Sequence, residues 1–576
     1  MSLDTQSTDR SSSTMGVATL ILLPIMLLSA ITPASFVYTA LVVLHSLGWS
    51  SIPKIFGIKT GLQRILLGYA LVEVTFYLWY RRRKRWLQRP SSNSPLTTPE
   101  DRVFLFRRCL ADLTAAMEPG KTEYPLPREA HEAGYSAADF FRAWFLNAKL
   151  SDIHRGNIEE WMLWALFNMD YVDVEQQDKE MQRAIFVELQ NYCNEIEVLL
   201  GVELPDGYNP RIKSMRLNKD VVHMKHRPAL WYLIVAGLDA YTQILLRSLG
   251  FMHFVPRKDI VNCVFPPSFS HLRRFTRESN SALSYWYRPP LTARSTAKPI
   301  ILIHGIGTGL QPYDVLIKML SKHDAPIFLV ELMHVSMRMV NRIPGRRETI
   351  EGIKRMLQKE GYEDGVVVGH SLGTVVSTWL IHDPEPPVSH VILVDPVVFL
   401  LHLPDVAYNF VYRFPKRANE WLLWWFASRE AGISYSLGRN FFWFENILFR
   451  DEIGCRTKKD MVLVGHDAEW DRSQSRHEGR WAKKACVVLA GKDQIAPTKA
   501  VWKYLNQGEE PNYIQPGPYQ LPPGTTMAHT PNGLDVVYCP GLDHASFLLP
   551  QNKGVVRFIA DRAGKWATSS DHELLN

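Results

Sequence analysis

Hydrophobic and polar positions follow three different patterns along the chain. Residues 1–90 carry two long apolar stretches, and from about residue 100 to 250 apolar side chains recur at helical spacing. From about residue 285, short β-branched runs alternate with helical patterns. The sequence therefore predicts an α/β fold, preceded by a helical region and an N-terminal membrane segment.

The first apolar stretch, residues 15–44, holds no charged side chain and exceeds the roughly 20 residues that cross a bilayer core. Pro24 and Pro33 predict a kinked span or a re-entrant hairpin. The rival is a cleaved signal peptide, which begins with basic residues and has a shorter apolar core. Asp4 and Asp9 precede this run, so the pattern favours a retained anchor.

A second apolar stretch, Ile65 to Tyr80, is interrupted only by Glu73 and ends in aromatic residues. Five consecutive cations follow at positions 81–85, as is typical of the cytoplasmic end of a span. An interfacial helix stays open as an alternative, because a carboxylate is costly in lipid. In either case we expect the chain after the cations to face the cytosol.

The helical part begins after a Pro/Ser/Thr-rich linker, residues 90–99. Its aromatic residues recur at helical spacing and predict an amphipathic core rather than a cofactor pocket. They are Phe140, Phe141, Trp144, Phe145, Trp161, Trp164 and Phe167. Residues 229–251 are apolar but contain Asp239 and Arg247, which favours a buried or membrane-leaning helix over a third span.

The alternating part contains seven predicted strands, near-continuously apolar as in a parallel sheet that is covered on both faces. They are Tyr285–Tyr287, Ile300–Ile303, Ile327–Val330, Val366–Val368, Val391–Val394, Val487–Leu489 and Val536–Tyr538. An aromatic-rich stretch interrupts the alternation and is interpreted as a helical lid. The predicted division is an anchor region 1–90, a helical region 91–284, a sheet domain 285–396 and 451–576, and a lid 397–450.

Composition excludes some partners. The formal charge is +7, but much of the excess lies in the cationic run beside the apolar stretch, so no nucleic-acid partner is expected. The cysteines are scattered, which is typical of a reducing compartment, and none has zinc-ligand spacing. They are Cys109, Cys193, Cys263, Cys455, Cys486 and Cys539. Neither a metal nor a cofactor is expected.

The candidate nucleophile is Ser371, in the G-x-S-x-G sequence of residues 369–373. This sequence follows a predicted strand and opens a predicted helix. A sharp strand-to-helix turn needs small residues beside the serine, and it raises the hydroxyl above the sheet. The N-terminus of the following helix favours developing negative charge.

Two backbone N–H groups are predicted to form an oxyanion hole, the pair of donors that a tetrahedral intermediate requires. Leu372, directly after the nucleophile, supplies one. Ile306, in the loop after the strand Ile300–Ile303, supplies the other, with Gly307 as the alternative. His304 in the same loop is interpreted as a structural support.

A serine hydroxyl becomes nucleophilic when a base removes its proton, and the base needs a carboxylate to hold its tautomer. Asp493 and His544 each follow an apolar strand and a glycine turn, in the chain order serine, acid, histidine. They are the predicted acid and base. Asp395 stays open as an alternative acid, and Asp543 is interpreted as a turn residue.

Four segments, HGIG, GHSLG, LAGKDQIAP and PGLDHASF, occur in that order. Together they resemble the α/β-hydrolase superfamily, in particular lid-bearing serine esterases and lipases, over about residues 285–565. The resemblance implies an eight-stranded, mostly parallel sheet and ester hydrolysis through an acyl-enzyme. Relatives with an aspartate nucleophile are excluded because residue 371 is serine.

The expected substrate is a lipophilic ester taken from the membrane, because an aromatic-rich lid accompanies a membrane segment. Two other functions stay open. One is thioester cleavage or acyl transfer with the same three residues. The other is a non-catalytic membrane scaffold, since a fold alone does not fix function.

Overall fold

The structure is a computed structural model. It describes residues 8–49, 51, 53, 56, 58–91, 97–116, 136–256, 263–266, 276–453, 484–506, 512–515, 517–530 and 533–569. The middle of the predicted linker, residues 92–96, lies outside this part of the chain, as does Cys455.

The α-helices are α1 Thr8–Ser46, α2 Gly61–Trp86, α3 Pro99–Ala116, α4 Ala137–Trp144, α5 Arg155–Met162, α6 Tyr171–Glu175, α7 Lys179–Leu200, α8 Ala229–Ser248, α9 Asp314–Leu320, α10 Arg346–Lys359, α11 Gly373–Ile381, α12 Asp405–Ala407, α13 Ala418–Leu422, α14 Ala431–Asn440, α15 Trp443–Asn446, α16 Thr498–Leu505 and α17 Lys553–Thr568. Three π-helical turns are Leu163–Phe167, Tyr408–Tyr412 and Leu423–Ser428. Short 3-10 turns are Leu150–Asp152, Gln311–Tyr313, Met333–Val335, Arg450–Glu452, Ser546–Leu548 and Pro550–Asn552.

The strands are β1 Met252–Pro256, β2 Cys263–Phe265, β3 Arg277–Ser279, β4 Ser284–Arg288, β5 Ile300–Ile303, β6 Ile327–Glu331, β7 Met339–Val340, β8 Gly365–His370, β9 Val388–Val394, β10 Lys484–Ala490, β11 Asn512–Tyr513, β12 Thr526–His529 and β13 Leu534–Cys539. The main sheet has the order β11-β12-β13-β10-β9-β8-β5-β6-β4-β1-β3. From β13 to β6 all neighbours are parallel, and β2 pairs with β7 apart from it.

All seven predicted strands are present, and they form β4, β5, β6, β8, β9, β10 and β13. The predicted count of eight strands is wrong, because eleven pair in the main sheet within the described residues. The additional strands β1, β3, β11 and β12 lie at or near the two edges. They are short and mixed in composition, so they lack the apolar run that marks a buried central strand.

The central strands are buried on both faces, as their apolar runs predict. Along β5, Ile301 and Ile303 pack in the same core as α10 and α11, whereas Ile300 and Leu302 pack in a second core with α9 and α17. Successive side chains of a strand point to opposite faces, so helices cover both sides of the sheet. The first strand of the sheet, β1, precedes residue 285, where the sequence predicted that the sheet domain begins. The division of the chain into four parts remains a prediction.

Two helical segments of the described chain are long and apolar enough to cross a membrane, Thr19–Ser46 and Ala229–Ser248. A signal sequence near the N-terminus, as in the first segment, or a buried core helix, as in the second, meets the same criterion of length and composition. The second apolar stretch of the sequence, which lies in α2, does not meet this criterion. The helix at residues 229–248, which the sequence predicted to be buried or membrane-leaning, does meet it.

Glu73 in α2 is completely buried against other protein groups. Its carboxylate accepts hydrogen bonds from the Thr32 hydroxyl at 2.6 Å and from the N–H of Ala229 at 2.7 Å, and Nε2 of His226 lies 3.2 Å away. Ala229 begins α8, so the carboxylate lies at the positive end of that helix. Glu73 thereby joins α1, α2 and α8.

The stretch between β9 and β10 contains α12 to α15 and two of the π-helical turns. These helices lie over the carboxyl end of the sheet, where Val397, Phe410 and Leu437 line a cavity with Ser371. Helix α13 also contacts α1. The predicted insertion is therefore helical in its described part. Residues 454–483 lie outside the described part of the chain.

Candidate active site

Ser371 occupies the turn between β8 and α11 with φ of 52°, a left-handed conformation that is uncommon for residues with a side chain. Its N–H donates to the carbonyl of Val394 at 2.9 Å. A Cβ at Gly369 would lie 2.3 Å from Ser377 Oγ, and one at Gly373 would lie 2.2 Å from the carbonyl oxygen of Ile303. The turn therefore requires both glycines of the sequence pattern.

The loops after β10 and β13 are joined by backbone hydrogen bonds. The N–H of Gly491 donates to Cys539 O at 2.8 Å, and that of Lys492 donates to Leu542 O at 2.7 Å. A Cβ at Gly491 would lie 2.5 Å from Cα of Pro540. Close contact of the two loops fixes the position of the acid-bearing loop relative to the histidine-bearing loop.

The three predicted side chains lie together. Nε2 of His544 is 2.8 Å from Oγ of Ser371, and Nδ1 of His544 is 2.6 Å from Oδ2 of Asp493. The other carboxylate oxygen of Asp493 accepts from the N–H groups of Ile495 at 2.7 Å and Ala496 at 3.1 Å. A carboxylate at Asp493 accepts a hydrogen bond from Nδ1–H, so Nε2 is left to accept the serine proton.

The electrostatics of the site favour a proton on His544. Burial lowers its pKa, but the negative charge and hydrogen bond of Asp493 outweigh burial, with smaller contributions from Asp395 and Asp543. The net effect raises the pKa of His544 to about 9. The imidazolium that a proton transfer from Ser371 creates is therefore stabilised.

The two predicted oxyanion donors are available. Among the described residues, no protein group accepts a hydrogen bond from the backbone N–H of Ile306 or of Leu372. Both residues line the cavity at Ser371. The alternative donor, Gly307, donates its N–H to Val335 O at 3.1 Å, so the geometry favours Ile306.

His304 supports its loop, as predicted from the sequence. Its Nε2 accepts from the N–H of Leu332 at 2.9 Å, so Nδ1 carries the proton and donates to Gly305 O at 2.7 Å. The side chain is completely buried, and burial lowers the pKa of His304. No hydrogen bond joins it to Ser371 within the described residues.

The two other aspartates shape loops. Asp543 accepts from the N–H of Gln494 at 3.1 Å and from the Asn419 side chain at 2.8 Å. Asp395, the alternative acid, accepts from the N–H of Ala545 at 2.8 Å. Asp493, and not Asp395, makes the hydrogen bond to the ring of His544.

Sequence reasoning missed a buried series of polar contacts beneath the site. The Tyr313 hydroxyl accepts from the N–H of Gly305 at 2.8 Å, so its proton goes to Nδ1 of His370 at 2.5 Å. Nε2 of His370 then faces Oδ2 of Asp395 at 3.6 Å. This series connects the oxyanion loop, the serine turn and the histidine loop. A single tyrosine in a 3-10 turn carries no motif, so its part in the site is evident only in the tertiary structure.

A cavity opens beside Ser371. Its lining is almost entirely apolar and comes from the oxyanion loop, the helices between β9 and β10, and the helical region before the sheet. Trp144 and Trp164 are the contribution of that helical region. The space suits a hydrocarbon group next to the serine hydroxyl.

Residues 298–433 match a family model described as alpha/beta hydrolase fold. Solved structures similar to this chain include carboxylesterase CesB from Bacillus subtilis, with 10% identity over 48% of this chain and 87% of that chain, and a TM-score of 0.28. A monoacylglycerol lipase from Paleococcus ferrophilus has 14% identity over 49% of this chain and 99% of that chain, with a TM-score of 0.28.

Naproxen esterase from Bacillus subtilis has 14% identity over 48% of this chain and 87% of that chain, with a TM-score of 0.29. A search of the curated proteins finds no match. The family-model match spans β5, the oxyanion loop, β8 and the serine turn. Together with the order of the parallel strands, it establishes that this chain has the α/β-hydrolase fold.

Proposed function

We propose that this protein is a serine hydrolase that cleaves carboxylic esters of lipophilic acids through an acyl-enzyme. The observation that carries the proposal is the unbroken hydrogen-bonded series Ser371, His544 and Asp493. Ser371 also lines an apolar cavity. An arrangement of this kind activates a serine for attack on a carbonyl carbon.

In the proposed reaction, His544 takes the proton of Ser371 as Oγ bonds to the ester carbonyl carbon. The N–H groups of Ile306 and Leu372 stabilise the oxyanion of the tetrahedral intermediate. His544 then gives its proton to the departing alcohol, which leaves Ser371 acylated. A water molecule, deprotonated by His544, attacks the acyl-enzyme and releases the free acid, and the proton returns to Ser371.

A panel of esters tests the activity and the substrate class. We expect the full-length protein in detergent to hydrolyse p-nitrophenyl and glycerol esters, and to prefer medium and long acyl chains over acetate, because the cavity beside Ser371 is apolar. Release of free acid is measured by chromatography, with and without an added alcohol. A product that is mainly the new ester would instead indicate an acyltransferase, and no turnover of any ester would contradict the proposal.

We also propose that the N-terminal region holds the protein in a membrane, with the sheet domain on the cytosolic side. Apolar side chains of α1 and α2 are strongly exposed, for example Leu20 at 76% and Ile65 at 71%. Four of the five cations at the end of α2 are exposed, whereas Arg83 donates to Val340 O and Asn341. Exposed cations beside an apolar segment favour the cytosolic side.

Membrane fractionation tests the anchoring. We expect the protein to stay with the membrane pellet after extraction with alkaline carbonate, because an apolar span is removed only by detergent. Protease added outside sealed microsomes should degrade the sheet domain. Release by carbonate would contradict the anchor, and protection from protease in intact microsomes would contradict the orientation.

A further inference from the structure

A second cavity lies within the helical region that precedes the sheet. Its lining is almost wholly apolar. Leu105 and Leu110 of α3, Phe140 of α4 and Met162 of α5 line it. We call it the distal cavity, and the cavity beside Ser371 the proximal cavity. The aromatic residues that the sequence assigned to an amphipathic core are buried in one hydrophobic cluster, and several of them also line this cavity.

Three tryptophans line both cavities, namely Trp144, Trp164 and Trp443. They therefore form the wall between them. The indole N–H of Trp144 donates to the carbonyl of His402 at 3.1 Å, and that of Trp443 donates to Ala165 O at 2.8 Å. Because the polar edges of these two rings are held by carbonyls, only their apolar surfaces remain to contact a molecule in either cavity.

The distal cavity also contains buried polar groups that need a partner. The two ring nitrogens of His402 and the indole N–H of Trp161 have no hydrogen-bond partner among the described residues. Burial lowers the pKa of His402 to about 4, so the ring is neutral and gives the cavity no charge. A hydrocarbon chain forms no hydrogen bond with these atoms, so the apolar lining of the cavity, and not these atoms, is what favours an alkyl occupant.

We propose that the distal cavity receives the far end of a long-chain acyl group whose carbonyl carbon lies at Ser371. This inference rests on the proposed ester hydrolysis and specifies its substrate class. Because the three indoles separate the two cavities, a chain longer than the proximal cavity enters the distal cavity when these rings turn aside, and it thereby leaves water for a second apolar space. The helical region then has a role in substrate selection, which its sequence alone did not show.

A substitution that fills the distal cavity tests this inference. Leu110→Trp places a larger side chain in the cavity, far from the reacting atoms. We expect kcat/KM for p-nitrophenyl palmitate to fall at least tenfold, while kcat/KM for p-nitrophenyl butyrate stays within twofold of wild type. The matched control is Arg107→Trp, an exposed position on the same helix, which should change neither value.

Retention of palmitate activity in Leu110→Trp would overturn the inference, as would an equal loss for both esters in a variant whose circular dichroism matches wild type. If Leu110→Trp does not fold, the smaller change Leu113→Phe, at another position lining the cavity, is measured with the same two esters. It should lower the palmitate-to-butyrate ratio of kcat/KM at least threefold, and an unchanged ratio overturns the inference.

A binding measurement separates this inference from the proposed function. In the Ser371→Ala protein, palmitic acid binding is measured by calorimetry with and without Leu110→Trp. A tenfold loss of affinity on filling the cavity supports the distal site even if no ester is ever turned over. Binding that Leu110→Trp leaves unchanged overturns the distal site even where hydrolysis that depends on Ser371 is established.

Discussion

Replacing Ser371 by alanine is expected to abolish labelling by a fluorophosphonate probe and to lower kcat for ester hydrolysis by roughly 10⁵- to 10⁶-fold. The reason is that no other hydroxyl is hydrogen-bonded to Nε2 of His544 in the described part of the chain. Gel fluorescence after probe treatment and initial rates on p-nitrophenyl butyrate measure the two effects.

The matched control is Ser377→Ala. Ser377 is a buried serine of α11 whose hydroxyl donates to Gly373 O at 2.9 Å, away from His544. That variant should keep its labelling and most of its activity. Equal labelling of the Ser371→Ala variant and the wild type would refute the nucleophile assignment, and with it the proposed acyl-enzyme.

Replacing Asp493 by asparagine is expected to lower kcat by roughly 10⁴-fold and to move the pH profile of kcat/KM toward acid. An amide can hold Nδ1 of His544 in the wrong tautomer, which is the cause of a loss of this size in serine proteases. The profile of the wild type should rise with pH through the raised pKa of His544, about 9, because only the neutral imidazole accepts the serine proton.

The expected shift of the pH profile toward acid follows from the groups that set the pKa of His544. Without Asp493, the main influence that raises the pKa of His544 is gone, while burial still lowers it. The midpoint of the profile should therefore fall by at least one pH unit. Asp395→Asn is the control, since an amide oxygen can still accept from the N–H of Ala545. Its effects on kcat and on the midpoint should both be small, and a larger loss in this variant than in Asp493→Asn would reverse the assignment of the acid.

The strands of the central sheet could be predicted because local sequence determines them. β5, β6, β8, β9, β10 and β13 are buried on both faces, and such strands must be apolar at nearly every position. The edge strands were not predicted, because β1 and β11 gain their order from neighbours that are distant in sequence. The environment of Glu73 could not be predicted from the sequence for the same reason. Its hydrogen-bond partners Thr32, His226 and Ala229 are distant in sequence.

The sequence by itself determined the serine turn and the order of serine, acid and histidine, because backbone sterics demand glycines around Ser371 and parallel strands bring their carboxyl ends to one edge. Only the tertiary structure shows that Asp493 rather than Asp395 is hydrogen-bonded to the ring of His544, and that Gly307, unlike Ile306, already donates its N–H to a carbonyl. Both features depend on which loops touch and which N–H groups are already bonded. The same holds for the distal cavity, since an aromatic stripe at helical spacing has the same pattern whether its side chains fill a core or surround a space.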